Sequence, residues 1–381
     1  MRVVCAAIVG AAMLGLLTGC DDEENKTQKA PPKDPAVAVA ATVETAPVRD
    51  AEDAADDPAI WIDPADPAAS VIIGTNKKSG LAVYALDGKE LSFRADGRMN
   101  NVDLRQGVML GGQAFDIVAA SNRTTNTINV YKFDAAMRTL SPLMPPIVTG
   151  FPEPYGICLY RSVKTGALHI FLNDTNSTMG EWRLTSDDGT TFKAEQLRTF
   201  AVGKVGSQAE GCAADDSQGI LFVAEEDIGL YAYDIEDPGK ERVVIDTVAS
   251  GHLTSDVEGV AVVQEGDGGY VIVSSQGSNS YNVYDRKSPY AFRGAFVVGD
   301  GAAQNGAPID AVEDTDGIEA TAASLGSAFP GGAFIAQDGV NFDGPDKKRT
   351  TQNFKLVPWP AIRDALKLPA PAATPMEQTA K

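Results

Sequence analysis

Histidine is nearly absent from this 381-residue chain, which carries only His169 and His252. A phosphohistidine mechanism built on an RHGxRxP-like block is therefore excluded, and so is a His-rich binuclear metal site. The cysteine-based HCxxxxxR loop, the phosphate cradle G-x-x-x-x-G-K-[ST] and the nucleophile elbow G-x-S-x-G are missing too. His169 reads as packing on a strand, and His252, just before Asp256, as a brace for its loop. Basic residues are also in deficit, 32 against 52 acidic ones, for a net charge of −20. That balance argues against a nucleic-acid partner and fits either bound cations or plain solubility.

Cysteine is scarce as well: Cys5, Cys20, Cys158 and Cys212. Two of these fall in the first twenty residues, so no disulfide framework holds the fold. A Cys158–Cys212 bridge and two separate buried thiols on adjacent strands both fit the sequence. The opening MRVVCAAIVGAAMLGLLTGC reads as an export signal rather than a fold element. Its L-T-G-C ending resembles a bacterial lipobox, which would make Cys20 a lipidated N-terminus; ordinary signal-peptide cleavage is the alternative. Both place the protein outside the cytoplasm, anchored to the cell envelope or free in the periplasm or medium. Residues 21–35 read as a flexible linker, 36–368 as one folded domain and 369–381 as a disordered tail, with a monomer as the default.

Helical periodicity is missing between linker and tail. A repeat takes its place, in which an apolar run, a polar loop and an alternating strand ending in an aromatic recur: SVIIGTNKKSGLAVY, FDIVAASNRTTNTINVY, LHIFLNDTNSTMGEW, ILFVAEEDIGLYAY and YVIVSSQGSNSYNVY. The aromatics are Tyr84, Tyr131, Trp182, Tyr233 and Tyr284, spaced by 47, 51, 51 and 51 residues. This is close to the period of a four-stranded propeller blade. GAFIAQDGVN followed by NFKLVPW makes a sixth copy. The expected fold is all-β, a six-bladed β-propeller, with the last blade closed by an N-terminal strand over Val37 to Val43.

In a propeller, the turn entering each innermost strand and the loop between the second and third strands emerge on one face. Here they gather carboxylates such as Asp56, Glu210, Asp256 and Glu258, together with the cations Lys77, Lys78 and Arg123. A single Asp in such a loop is more often there for turn geometry, but the set on one face is not so easily dismissed. Converging carboxylates repel unless cations neutralise them. Oxygen ligands without His or Cys select calcium or magnesium over zinc, and the abundance of carboxylates and backbone carbonyls without a nucleotide loop tilts this to calcium. A cation-filled site beside a basic sector would receive a polyanion, with phosphate esters as the natural ligand. Two rivals remain. Another calcium-dependent propeller hydrolase, a lactonase or phosphotriesterase, would not need the basic sector, and a non-catalytic surface propeller would be expected to show exposed aromatics on that face.

The blocks DAADDPAIWIDP, TNKKSGLAVY, NNVDLR, SNRT, QAEGCAADD, AEED, HLTSDVEG, SSQGSNSY, DTDGI, AQDGVN and QNFKLVPW occur in the order seen in the β-propeller phytases. The resemblance runs from about Glu44 to Trp359. It implies a calcium-dependent 3-phytase that releases phosphate from myo-inositol hexakisphosphate by direct attack of a calcium-bound water. It also implies several calcium ions and two neighbouring phosphate pockets. By motif, Asp56, Tyr155, Glu210, Asp256 and Glu258 would surround the catalytic ions, with Asp310, Asp316 and Asn341 in related calcium sites. Lys77, Lys78, Arg123 and Glu226 would line the phosphate pockets, and Glu44, Asn100 and Asn101 resemble structural-calcium positions. One departure stands out: where the family pattern has a phosphate-contacting lysine in the third repeat, this chain has Thr175 or Asn176.

Overall fold

A computed structural model of the chain describes residues 29–204, 206–342 and 347–369. The expected export signal with Cys20, most of the expected linker and most of the expected C-terminal tail lie outside the described residues. Six antiparallel sheets follow one another along the chain, each with its innermost strand first. The innermost strands are Ala55–Trp61, Met99–Leu110, Pro154–Arg161, Ala209–Asp215, Val257–Glu265 and Ile318–Thr321. The recurring aromatics Tyr84, Tyr131, Trp182, Tyr233 and Tyr284 all fall on the third strand of their blade. Each therefore marks the same structural position.

Six apolar clusters fill the spaces between neighbouring blades. Between the first and second blades, for example, Trp61 and Val83 pack with Val118 and Tyr131. Strands with both faces covered in this way need no polar alternation, which is why VIIGTN and GLAVYA read as continuous apolar runs. Cys158 and Cys212 form a disulfide between the innermost strands of the third and fourth blades, with Cα atoms 5.9 Å apart. His169 is a strand residue, paired with Glu181 at 2.7 Å. His252 stacks on Phe292 at 3.7 Å and meets Asp34 at 2.7 Å, so it braces the approach of the N-terminal segment.

The closure differs in one respect from the sequence expectation. Val37 to Val43 does not run as one strand into the last blade. Ala36–Ala40 pairs in parallel with Ala295–Gly299 as a fifth strand on the fifth blade, and only Val43–Glu44 joins the sixth blade, against Leu356 and Lys355. The chain turns between blades at Ala41 and Thr42, and the Thr42 and Thr45 N–H groups donate to Leu356 and Phe354 at 2.9 and 2.8 Å. The split lets one short segment cover two open edges, each of which would otherwise present unpaired backbone groups.

This predicts a sharp boundary for truncation. A chain starting at Ala36 should melt close to the intact protein, whereas one starting at Ala46 should lose cooperative unfolding or melt at least about 10 °C lower, since whole-strand losses exceed ordinary point-mutant costs. Thermal denaturation of the two truncations decides it. Matching melting temperatures would mean that the closing strands are dispensable.

Candidate metal and phosphate site

Five of the six innermost strands shift their pairing register just after they begin, at Ala55/Pro58, Met99/Val102, Pro154/Ile157, Ala209/Cys212 and Val257/Val260. Bulges at such positions re-aim side chains out of the regular alternation. Within the bulges lie Asp56, Asn100, Asn101, Tyr155, Glu210 and Glu258. Four of the turns place a glycine next to the functional residue, and neighbouring backbones close up there. A Cβ on Gly156 would sit 1.8 Å from the Glu210 carbonyl oxygen, and one on Gly211 would sit 2.1 Å from that of Glu258. The Gly259 and Gly317 N–H groups donate across blades to the carbonyls of Asp316 and Asp56 at 2.7 and 3.1 Å. The glycines thus draw the entering turns of successive blades toward one axis.

The result is a compact acidic centre. Carboxylate oxygens of Glu210, Glu226 and Glu258 lie within 4.8 Å of one another. Glu210, Glu258 and Asp56 are buried. Burial, reinforced by the neighbouring carboxylates, holds Asp56 and Glu258 well above the usual carboxylate range and pushes Glu210 up to about 7. Asp316 and Glu226 are raised mainly by burial too. The Tyr155 hydroxyl bonds Glu210 and is held firmly protonated, first by burial and then by the surrounding negative charge. Asp256 is half-buried and adds to the field on Glu226.

Cations rim this centre. Lys77 lies 2.8 Å from Asp316, 3.5 Å from Asp56 and 2.7 Å from Asp53. Arg123 donates through Nη1 to Asn100 Oδ1 at 2.9 Å, pairs with Glu153 through Nη2, and stands 5.5 Å over the Tyr155 ring. Lys78 sits further out, donating to the Ala51 carbonyl at 2.6 Å with Glu52 at 3.4 Å. Beneath the centre, the channel holds a cavity of about 230 Å³ lined by Asp57, Asp103, Arg105, Asp216 and Glu319.

The donor set fits a hard divalent cation. Asp56 Oδ1, Glu226 Oε1 and Glu258 Oε2 are buried and have no hydrogen-bond partner, which is costly unless a ligand supplies one. All are carboxylate oxygens, as calcium prefers. The remaining sequence candidates fall into different groups. Asn100 and Asn101 belong to the acidic centre, since the Asn100 amide donates to Glu210 Oε1 at 2.5 Å and to Asn101 Oδ1 at 2.7 Å. Glu44 instead accepts from Asn353 at 3.0 Å and lies 3.6 Å from Arg349, on the sixth blade. Asp310 also lies there, paired with Lys355, whose ammonium is fully buried at 2.7 Å from both Asp310 and Asp338. Asn341 is nearby in the chain, buried, with neither amide atom satisfied. The sequence reading missed Asp53, Glu153 and Lys355. The acidic run DAEDAADDP and the PEP triplet were the only signals for the first two.

Fold and site together define a propeller that gathers buried carboxyls on one face and borders them with the cationic side chains of Lys77, Lys78 and Arg123. The chain belongs to the phytase family, whose sequence pattern matches residues 6–371. A 3-phytase of Bacillus subtilis (strain 168) is 40% identical over 335 residues, 86% of this chain and 85% of that one. Among solved structures, one titled as a nidogen/laminin complex aligns with a TM-score of 0.45 at 10% identity, over 74% of this chain and 96% of that one. The periplasmic gluconolactonase PpgL of Pseudomonas aeruginosa aligns with a TM-score of 0.41 at 15% identity, over 58% and 65%. Both scores are too low to bear on this chain's chemistry.

The acidic centre predicts an unusual pH response. Carboxyls raised on folding make the metal-free folded state bind more protons than the unfolded chain, so its stability falls as pH rises from the ordinary carboxylate range through about 7 for Glu210. Carboxyls held low, such as Glu181, finish titrating below that window. Chelated protein should therefore melt lower at about pH 8 than at about pH 5, and added calcium should raise the melting temperature more at the higher pH. A chelated melting temperature that is flat or rising over that interval would contradict the buried cluster.

Proposed function

We propose that this member of the phytase family releases phosphate from phytate with calcium at the acidic centre. The observation that carries the reading is the convergence of Glu210, Glu226 and Glu258 beside Lys77 and Arg123. Family membership and the 3-phytase relative support phytate hydrolysis itself. The metal and the residue roles rest on the chemistry of the site.

Asp56, Glu210, Glu258 and Asp316 would hold calcium, with Asp256 at the edge. Glu226, expected from sequence in a phosphate pocket, would join them, because its carboxylate lies within 4.8 Å of those of Glu210 and Glu258. Asp310, Asn341 and Glu44 are candidates for further ions on the sixth blade. Bound calcium would acidify a water and offset the charge on phosphoryl oxygens. Both histidines are engaged elsewhere and both cysteines of the fold are joined, so no side chain of those types offers a nucleophile. As the family resemblance implies, water attacks phosphorus in line, without a covalent enzyme intermediate. Lys77 and Arg123 bind the phosphoryl oxygens and stabilise the charge that develops on them. Tyr155, kept protonated, donates a hydrogen bond rather than adding a charge. Lys78 on the rim holds a second phosphate, which orients a substrate with neighbouring phosphates. The blade-three loop adds no cation there, because Thr175 and Asn176 follow an Asp174 carboxylate turned back onto its own loop, accepting from the Asn176 and Thr178 N–H groups at 2.9 Å. For location, we propose export with a lipid anchor at Cys20 and a monomeric working form.

Phosphate release from calcium phytate, with and without chelator and beside an aryl phosphate and a lactone, tests the function. Release that needs calcium and favours phytate is expected; lactone opening without phosphate release would overturn it. Glu258→Gln should lower kcat by about 100-fold or more, the scale of losing a charge-stabilising group, while the calcium-free melting temperature stays level or rises. A kcat loss matched by loss of folding would make Glu258 structural. Thr175→Lys should lower KM for phytate severalfold with little change in kcat, and an unchanged KM would remove the third blade from the pocket.

A further inference from the structure

The three cations of the site share an arrangement that the hydrolytic reading does not use. Each one meets an exposed carboxylate on the rim: Lys77 meets Asp53, Lys78 meets Glu52 and Arg123 meets Glu153. These partners are far more exposed than the ligands of the acidic centre, at 72%, 85% and 45% of side-chain area. They are thus the members of the site that can move away.

Arg123 shows what such movement would accomplish. Its Nη1 is fixed by Asn100 Oδ1, and Asn100 in turn holds Glu210, so that side of the guanidinium is locked to the acidic centre. Glu153 takes Nη2 alone. The adjacent Nε is buried and has no partner. A guanidinium presents Nε and Nη2 as a parallel pair of donors, which suits two oxygens of one carboxylate or phosphate. Glu153 therefore satisfies half of a fork that a phosphate would fill completely. Its place in the chain limits it to this. Glu153 lies between Pro152 and Pro154, and a residue before proline is confined to extended backbone, so the carboxylate approaches from a stiff turn.

We propose that Glu153 is a tethered stand-in for phosphate: it occupies the Arg123 fork in the free enzyme, yields to a phosphate of the substrate, and returns to displace inorganic phosphate after cleavage. The inference rests on the reading of Arg123 as a phosphate-binding residue. A competitor attached beside its target acts at the high effective concentration of a short tether. It weakens every phosphate at Arg123 by one factor, set by how well the internal pair forms. Glu153 is thus a positioning residue that tunes affinity and product release without touching the reacting atoms. Asp53 and Glu52 stand in the corresponding relation to Lys77 and Lys78.

The test compares the full chain with Glu153→Gln and Arg123→Gln at saturating calcium, measuring binding of inorganic phosphate by equilibrium dialysis and its inhibition of phytate hydrolysis. Glu153→Gln should bind phosphate about two- to fivefold more tightly, the factor that corresponds to an exposed ion pair. KM for phytate should fall with it, and kcat should hold steady or drop as release slows. Arg123→Gln should weaken phosphate binding. If Glu153→Gln leaves phosphate binding unchanged or weakens it while Arg123→Gln weakens it, the stand-in role is wrong and the phosphate reading survives. If Arg123→Gln does not alter phosphate binding, both fall together. A bracing role for Glu153 would give a higher KM and a lower kcat at once, which also contradicts the proposal.

Discussion

Glu210, Glu226 and Glu258 are crowded to within 4.8 Å of one another where water has little access. Two unit charges at that spacing repel by on the order of 3 kcal/mol at the effective dielectric of a protein. A soft scaffold would relax by letting the strands drift apart. The ring does not permit this, because each blade is wedged by an apolar cluster on both sides and the last blade is closed by a strand from the start of the chain. The Cys158–Cys212 bridge ties together the two innermost strands that carry Tyr155 and Glu210. Rigidity elsewhere thus holds charge concentrated in the centre, where a cation can use it.

Much of the ring was legible because its determinants are local and repeated. One aromatic per blade, about fifty residues apart, reports the third strand whatever the intervening loop does. The acidic residues were legible for a related reason, since they occupy equivalent turns. Their partners were not. The register shifts that aim Asp56, Tyr155, Glu210 and Glu258 leave no mark in a pattern of apolar and polar residues, because an extra residue in a turn looks like loop. The split of the N-terminal strand is equally silent, as VAVAATV suits either blade. Glu44 and Asn100 illustrate the same limit: both read from sequence as oxygen ligands, they settle on different blades with different partners, and only long-range topology separates them.

Two lysines show how burial changes the meaning of a charge. Lys355 is enclosed, and its ammonium is held by Asp310 and Asp338 at equal distances and by the Asp310 and Ala311 carbonyls, where no water or outside anion reaches it. Lys77 also has carboxylate neighbours, but one of them, Asp53, is mostly exposed. The first arrangement is a closed set. The second can exchange a partner for an incoming anion, which a ligand-binding cation must be able to do.

Seen as a whole, the working face is acidic: five carboxylates, those of Asp56, Glu210, Glu226, Glu258 and Asp316, face Lys77 and Arg123, within a chain of net charge −20. Without metal, a polyanionic ester would meet carboxyls that burial keeps protonated well above the usual range and that repel it as they ionise with rising pH, and it would compete with the rim carboxylates for every cation it could use. On the proposed reading, divalent cations would change this, because each would cancel two carboxylate charges and leave Lys77 and Arg123 less committed to their internal partners. Cation and phosphate ester would therefore favour one another's binding, and by linkage the favour would be mutual and equal in free energy. The rim pairs would set how far that coupling must go before substrate wins. On that reading the site would need no moving lid to stay closed to anions in the absence of metal, since Asp53, Glu52 and Glu153 already pair with the cations a substrate would use.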